Sequence, residues 1–419
     1  MVTIHSNPFT SPEFRQKFVA HFVGNEPVID TGFLSGISFY RHPKFPYYLN
    51  LGRNLTKGMN YTLSGVDGTG KPMDDEVFLI YDVPEYFAQK LSPLPANVGL
   101  HRVRQYPGYL ISLESYPDYD AYFKNFFSRN TRYKLRKYAK RLEQSFEVSY
   151  AMHCGPIERE AYDQLFLKFR ELLEKRFGEK QIRNNNLEAE EWAFYQEVAY
   201  EMIQSNQACL FVIYAHDEPI SITLNYFGSG VMFNAITVFD TDFSKFHVGT
   251  IAIMKQLEWC YQNGIKIFDF SKGHYDYKSD WATHPYRFEY HIFYNKKSLK
   301  SRTTAWLLKE FLTLKQFLRD RNLNERYNKL LFKLRGYHRT APRAEGKEPL
   351  LTELESMPGL DQWGKIDMND AKYRHLKKHL NSFLFLTQEH LSGVTVFKDR
   401  AGEKYIFQGQ STIQKLCFL

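Results

Sequence analysis

The chain has 419 residues, 43% of them hydrophobic and 24% charged, which is long enough for two or more cores and too apolar for wholesale disorder. Lysine and arginine (55) exceed aspartate and glutamate (47) by +8, a balance that suits a phosphorylated ligand without demanding nucleic acid. Cys154, Cys209, Cys260 and Cys417 lie far apart with no C-x-x-C pair, arguing against a disulfide framework or a zinc site.

The N-terminal run MVTIHSNPFTSPEF lacks a signal peptide's apolar centre, and no segment approaches the roughly 20 apolar residues that span a bilayer. The cytoplasm is the expected compartment. Residues 1–117 read as mixed strand and loop, with apolar runs at Pro46–Leu51, Val77–Ile80 and Tyr109–Leu113. Gly65–Lys71 has glycines but neither the spacing nor the GK[ST] end of a phosphate loop, so a surface turn is expected there.

Asp118–Phe146 reads as a helical segment with a basic run. Lys124, Arg129, Arg132, Lys134, Arg136, Lys137, Lys140 and Arg141 alternate with aromatic residues; the run forms either a solvated face or an anion-binding one. Two amphipathic helices follow near Glu158–Phe177 and Leu187–Gln204, joined by Asn184–Asn186. Their apolar positions read as core. Strands at Ala208–Ala215, Ile220–Phe227 and Val231–Val238 then form a meander.

Val248, Ile251, Met254, Leu257 and Tyr261 share one face of a helix that Gly249 enters and Asn263-Gly264 stops. Ile265–Phe270 follows as a short buried strand carrying Asp269. Strand, helix and strand form a βαβ-like unit. Free N–H groups in the first helical turn make a natural phosphate seat, contributed by Val248, Gly249 and Thr250. Asp269 either handles a proton or caps a following helix at Ser271–Tyr275. His247 has a base's pKa range but is a lone loop histidine, and Asp280 and Glu289 are spare carboxylates.

A strand at Tyr290–Tyr294 and helices at Ser301–Leu318 and Leu323–Leu334 complete a unit at 118–338, and the linker 339–349 separates it from 350–419. That last part should hold a helix (Asn369–His379), a strand (Phe383–Leu386) and a hairpin (Val394–Phe397, Lys404–Phe407). No internal repeat is visible. Periodicity alone supports an α+β fold with mixed sheet and flanking helices.

Residues 231–281 resemble the core of the GNAT (Gcn5-related) acyltransferases, in the branch shared by CelD-like acetyltransferases and Fem-type peptidyl transferases. The resemblance lies in His247-Val248-Gly249-Thr250, the Asn-Gly stop, Phe268-Asp269-Phe270, and the run from Ser271 through Tyr277-Lys278 to Trp281. It spans about 120–300, and the basic pattern Asn130, Arg132, Arg136, Lys137 matches the branch as well. It implies a GNAT-like domain, a degenerate GNAT-like first half and a small α/β C-terminal extension.

The resemblance further implies acetyl-CoA or another acyl-CoA as co-substrate, held at His247, Val248, Gly249 and Thr250. The donor loop keeps one glycine where many GNATs carry a fuller signature. Asp269, Tyr277 and Lys278 are the catalytic candidates, while Asn225, Asn234, Tyr275 and Trp281 are candidates for acceptor contact. The implied activity is N-acylation of an amine on a small metabolite, amino sugar or envelope precursor, with no metal. The alternatives are a Fem-type transfer from aminoacyl-tRNA, motivated by the basic run, and a non-catalytic scaffold.

Overall fold

Among the described residues of the computed structural model, those up to Ser112 contribute one α-helix and seven strands: α1 (Pro12–Phe22), β1 (Val28–Ile29), β2 (Leu34–Ser35), β3 (Phe39–Arg41), β4 (Tyr48–Asn50), β5 (Thr62–Leu63), β6 (Val77–Pro84) and β7 (Val98–Ser112). Next come α2 (Tyr119–Phe126), α3 (Arg129–Ser145), β8 (Val148–Cys154), α4 (Arg159–Lys180) and α5 (Ala189–Gln204). The meander β9 (Ala208–Ala215), β10 (Glu218–Gly228) and β11 (Val231–Phe239) leads to α6 (Val248–Gln262), β12 (Ile267–Lys272), α7 (Asp276–Trp281), β13 (His284–Asn295) and α8 (Leu299–Asp320). The C-terminal extension holds β14 (Leu350–Leu354), β15 (Trp363–Lys365), α9 (Lys377–Thr387), β16 (Thr395–Asp399), β17 (Lys404–Gln408) and β18 (Ile413–Cys417).

The structure describes residues 6–63, 73–87, 94–180, 185–321, 350–400, 402 and 404–418. The Gly65–Lys71 turn, the Leu323–Leu334 helix, the 339–349 linker and Asn184 lie outside them. Among the described residues no helix is long and apolar enough to cross a membrane.

Eleven strands form one sheet in the order β1-β3-β4-β6-β13-β7-β12-β11-β10-β9-β8. Outward from the central antiparallel pair β13–β7, the sequence of partners is the same on both sides. First comes an antiparallel strand, β6 or β12; next one parallel to it, β4 or β11; then an antiparallel β3 or β10. Each half lends its last strand to the other, since β7 pairs with β12 and β13 with β6. The chain therefore carries a topological repeat that its sequence does not display. The first half is the reduced one: where α6 links β11 to β12, the described link from β4 to β6 holds only a 3₁₀ turn at Arg53–Leu55 and β5.

Alternation along the strands assigns the layers. Val231, Phe233 and Ile267 join a core with α1, α4 and α5, whereas Met232, Phe268 and Phe270 join one with α2, α3 and α6. The hairpins of the meander turn through His216-Asp217 and Ser229-Gly230, all four left-handed, which is the backbone a two-residue turn between twisted strands requires. Helix α6 ends in a Schellman closure, with Gly264 left-handed and the Ile265 N–H bonded to the Cys260 carbonyl at 3.0 Å.

Four expectations need correction. The single helical segment expected at 118–146 is two helices, because Ser128 Oγ accepts the Thr131 N–H and starts a new one. No helix occupies Ser271–Tyr275: Ser271 and Gly273 are left-handed there, and α7 begins only at Asp276. Phe383–Leu386 is helix rather than strand, with Leu380, Phe383 and Leu384 buried together on one face of α9. A four-residue apolar run does not distinguish the two. The helix expected at Asn369–His379 is a 3₁₀ turn at Ala371–Leu376 running into α9.

The extension is a five-stranded antiparallel sheet, β14-β18-β17-β16-β15, with α9 against it. Leu376, Leu380, Phe383 and Leu384 share a core with Phe243, Phe246, Val248 and Ile251, so the extension grips the loop that enters α6. Asn381 donates to the Asp242 carbonyl at 3.1 Å, and Phe385 meets Phe246 edge-on at 5.3 Å. Phe383→Ala is expected to cost about 3–5 kcal/mol, read as a lower urea midpoint at unchanged slope.

Candidate functional site

β11 and β12 pair over only three residues, Val231↔Ile267, Met232↔Phe268 and Phe233↔Asp269. Beyond that point β11 stays with β10 to Phe239, and β12 stays with β7 to Lys272. Both strands bulge where they part. Ala235 has no partner between Asn234 and Ile236, and the β12 register shifts between Asp269 and Lys272, with Ser271 at φ 60°. Bulges bend and twist strands. The two strands therefore splay.

The start of α6 sits at the open end of this splay. Gly249 lies against the Phe239 ring, where an added Cβ would come within 3.0 Å. His247 is left-handed, stacks on Tyr138 at 3.9 Å and is kept below the usual imidazole range by burial. The intrahelical bonds begin with Thr250 and Ile251, whose N–H groups both donate to the His247 carbonyl at 2.8 and 3.1 Å. Val248 and Gly249 stand in the first turn of α6, whose N–H groups have no acceptor within their own helix. Two amide donors at the positive end of a 15-residue helix suit an anion.

Asp269 is fully buried on the face opposite α6. Its carboxylate accepts the Tyr86 hydroxyl at 2.7 Å, the Tyr286 hydroxyl at 2.8 Å and the Ser271 N–H at 2.7 Å. Burial raises its pKa to about 6, and these hydrogen bonds and the Lys278 charge hold it from rising further. Lys278 is 5% exposed and donates to the Ser271 and Lys272 carbonyls at 3.3 and 3.0 Å. Burial lowers its pKa to about 7, partly offset by Asp269. Asp269 accepts the Ser271 N–H and Lys278 donates to the Ser271 carbonyl, so one residue ties the two groups together.

Tyr277 packs edge-on against Phe270 at 6.1 Å near the mouth, and partial burial pushes its hydroxyl up to about 12. Tyr275 is 60% exposed and lies under the Lys278 ammonium at 5.3 Å. Asn225 and Asn234 belong to an interior relay at the β11 bulge. Thr237 donates to Asn234, Asn234 to Asn225, Asn225 to Gln256, and Gln256 to the Ala252 carbonyl of α6. Trp281 stands apart from the cleft, 4% exposed, with its ring on Phe127 at 4.8 Å and its carbonyl taken by Tyr122. In the basic run, Arg132 and Arg141 donate to backbone carbonyls of Phe127 and Phe385, while Lys124, Arg129, Lys134, Arg136 and Lys140 are exposed.

The first half supplies residues that sequence reading missed. Tyr86 reaches Asp269 from just beyond β6, and in return Lys272 of β12 reaches Asp82 of β6 at 2.7 Å. Thr56 also donates to Asp82 at 3.0 Å. Asp82 sits at the β6 bulge with φ 60°, the place that Ser271, also at φ 60°, holds at the β12 bulge, each on the strand flanking the central pair. A serine and an aspartate at equivalent bulges share no motif, so the sequence carried no signal of that relation. Tyr86 and Lys57, distant in the chain from β12, gave none.

Residues 129–279 match the family model described as the acetyltransferase (GNAT) domain. No curated protein matches the sequence. Among solved structures the chain is similar to FemX, at 11% identity and TM-score 0.44, covering 68% of this chain and 92% of that one. It is also similar to a conserved protein of unknown function from Bacteroides thetaiotaomicron VPI-5482, at 10% identity and TM-score 0.43, over 68% and 90% of the two chains. A third likeness is to the C-terminal domain of a lysylphosphatidylglycerol synthetase from Agrobacterium fabrum, with 10% identity, TM-score 0.41 and coverage of 72% and 91%. Scores of this size carry no argument about function. The matched stretch runs from α3 into α7 and contains the splayed strands, Gly249, Asp269 and Lys278.

Proposed function

We propose that the protein is a cytoplasmic N-acyltransferase that moves an acyl group, acetyl in the simplest case, from acyl-CoA to an amine of a small metabolite, amino sugar or envelope precursor. The catalytic unit is 118–338, completed by residues of 1–117. The observation that carries this reading is the splay of β11 from β12, with the α6 amides on one side and the Asp269–Lys278 pair on the other.

In this reading the Val248 and Gly249 amides hold the donor's diphosphate, which brings the thioester into the splay. The acceptor nitrogen attacks the thioester carbonyl carbon, the amine proton passes to ionised Asp269, and Lys278 faces the oxygen that becomes negative. When the C–S bond breaks, the thiolate takes a proton from Tyr277, which is still protonated at neutral pH because its pKa lies near 12. The products are an amide and free CoA thiol.

The test is thiol release from acetyl-CoA and longer acyl-CoAs across a panel of amines. Amine-dependent release is expected; its absence with every donor removes the reading. The exposed lysines and arginines of α3 favour a second reading, transfer from aminoacyl-tRNA, which predicts a salt-sensitive gel shift with charged tRNA.

A further inference from the structure

We propose that the buried Lys57 ammonium is a carboxylate subsite, and that the acceptor is therefore a zwitterion whose amine lies towards Asp269. Only the amine half of this proposal rests on the acyl-transfer reading.

Lys57 follows the 3₁₀ turn at Arg53–Leu55 in the first half of the chain and is 9% exposed. Among the described residues its ammonium has no hydrogen-bond or ion-pair partner. The two lysines that share its electrostatic neighbourhood are both engaged. Lys272 holds Asp82 and the Asn54 carbonyl, and Lys278 holds two backbone carbonyls. A buried ammonium left alone is costly unless an anion joins it. Burial and the nearby Lys272 charge lower its pKa to about 8, so it still carries its proton at neutral pH. Ser271 Oγ, on the bulge between Asp269 and Lys272, is a second buried polar atom without a partner.

The surroundings select the kind of anion. Asp82 and Glu191 both act on Lys57 electrostatically, and burial raises the pKa of Glu191. A doubly charged phosphate would meet two carboxylates there, whereas a single negative charge is matched by the one free ammonium. Lys57 and Asp269 both act on Lys278, so the three belong to one charged cluster. A molecule with its carboxylate on Lys57 and its nitrogen at Asp269 would span the two halves of the sheet. That gives the reduced first half a part in choosing the acceptor.

The experiment is calorimetric titration of wild type, Lys57→Met and Lys57→Arg, with and without acetyl-CoA. The ligands are matched pairs: L-lysine and cadaverine, L-phenylalanine and phenethylamine, and 4-aminobutyrate with butylamine and 3-aminopropylphosphonate. At least one carboxylated member should bind wild type about tenfold or more tightly than its partner. That preference should vanish in Lys57→Met and persist in Lys57→Arg, with acetyl-CoA affinity unchanged in both. Lys57→Met without ligand should melt no lower than wild type, since it removes an uncompensated charge. No preference in any pair, a preference that survives Lys57→Met, or tighter binding of the phosphonate overturns the proposal. Failure of acyl-CoA turnover alone overturns the acyl-transfer reading, while the carboxylate preference is still read directly from binding.

Discussion

Asp269→Asn is expected to lower kcat by about 10²–10⁴-fold, the range for loss of a positioned proton acceptor. Rate measured against pH under saturating acceptor should rise through an acidic limb near 6 in the wild type, and this limb should be missing in the variant. The pair titrates jointly, so the limb belongs to Asp269 and Lys278 together. Stability gives an independent reading. Because the folded pKa lies above the ordinary 3.8, the folded protein keeps a proton that the unfolded chain releases. The resulting stabilisation is full below about pH 4 and is lost as pH rises through about 6, a swing of about 3 kcal/mol. Asp269→Asn should flatten that slope in urea titrations between pH 4 and 7. An unchanged slope would show that Asp269 is not the group responsible.

Lys278→Met should lower kcat by about 10²–10³-fold, as expected for removing a charge aimed at a developing oxyanion. It also takes away the cation that helps hold Asp269 down, so the acidic limb should move above 6. Stability should move the other way. The depressed pKa of Lys278 means that its contribution is present above pH 10.5 and lost as pH falls through about 7. At neutral pH the apolar variant should therefore unfold at equal or higher denaturant. A variant with normal turnover and an unmoved limb would reduce Lys278 to a packing residue.

Much of the second half was legible because its signals are local. The 3.6-residue spacing of Val248, Ile251, Met254 and Leu257 and the Asn263-Gly264 stop give α6 to within a residue. The meander strands follow from alternation and short turns in the same way. The centre of the site was not legible, since it is assembled across the sheet. Tyr86 and Asp82 meet β12 residues only because each half lends a strand to the other. Trp281 illustrates the converse. Its place next to the Tyr277-Lys278 pair suggested a role in the cleft, yet the short helix α7 turns it into the core beside Phe127. Neighbours in sequence on a helix point in different directions.

Calorimetric titration of acetyl-CoA into wild type and Gly249→Glu tests the central claim most directly. A side chain at Gly249 would crowd the Phe239 ring, and glutamate would place a negative charge at the first turn of α6. Saturable binding by the wild type, weakened about 100-fold or more in the variant, is the predicted result. Equal affinity in the two proteins, or no binding of any acyl-CoA by the wild type, would contradict it.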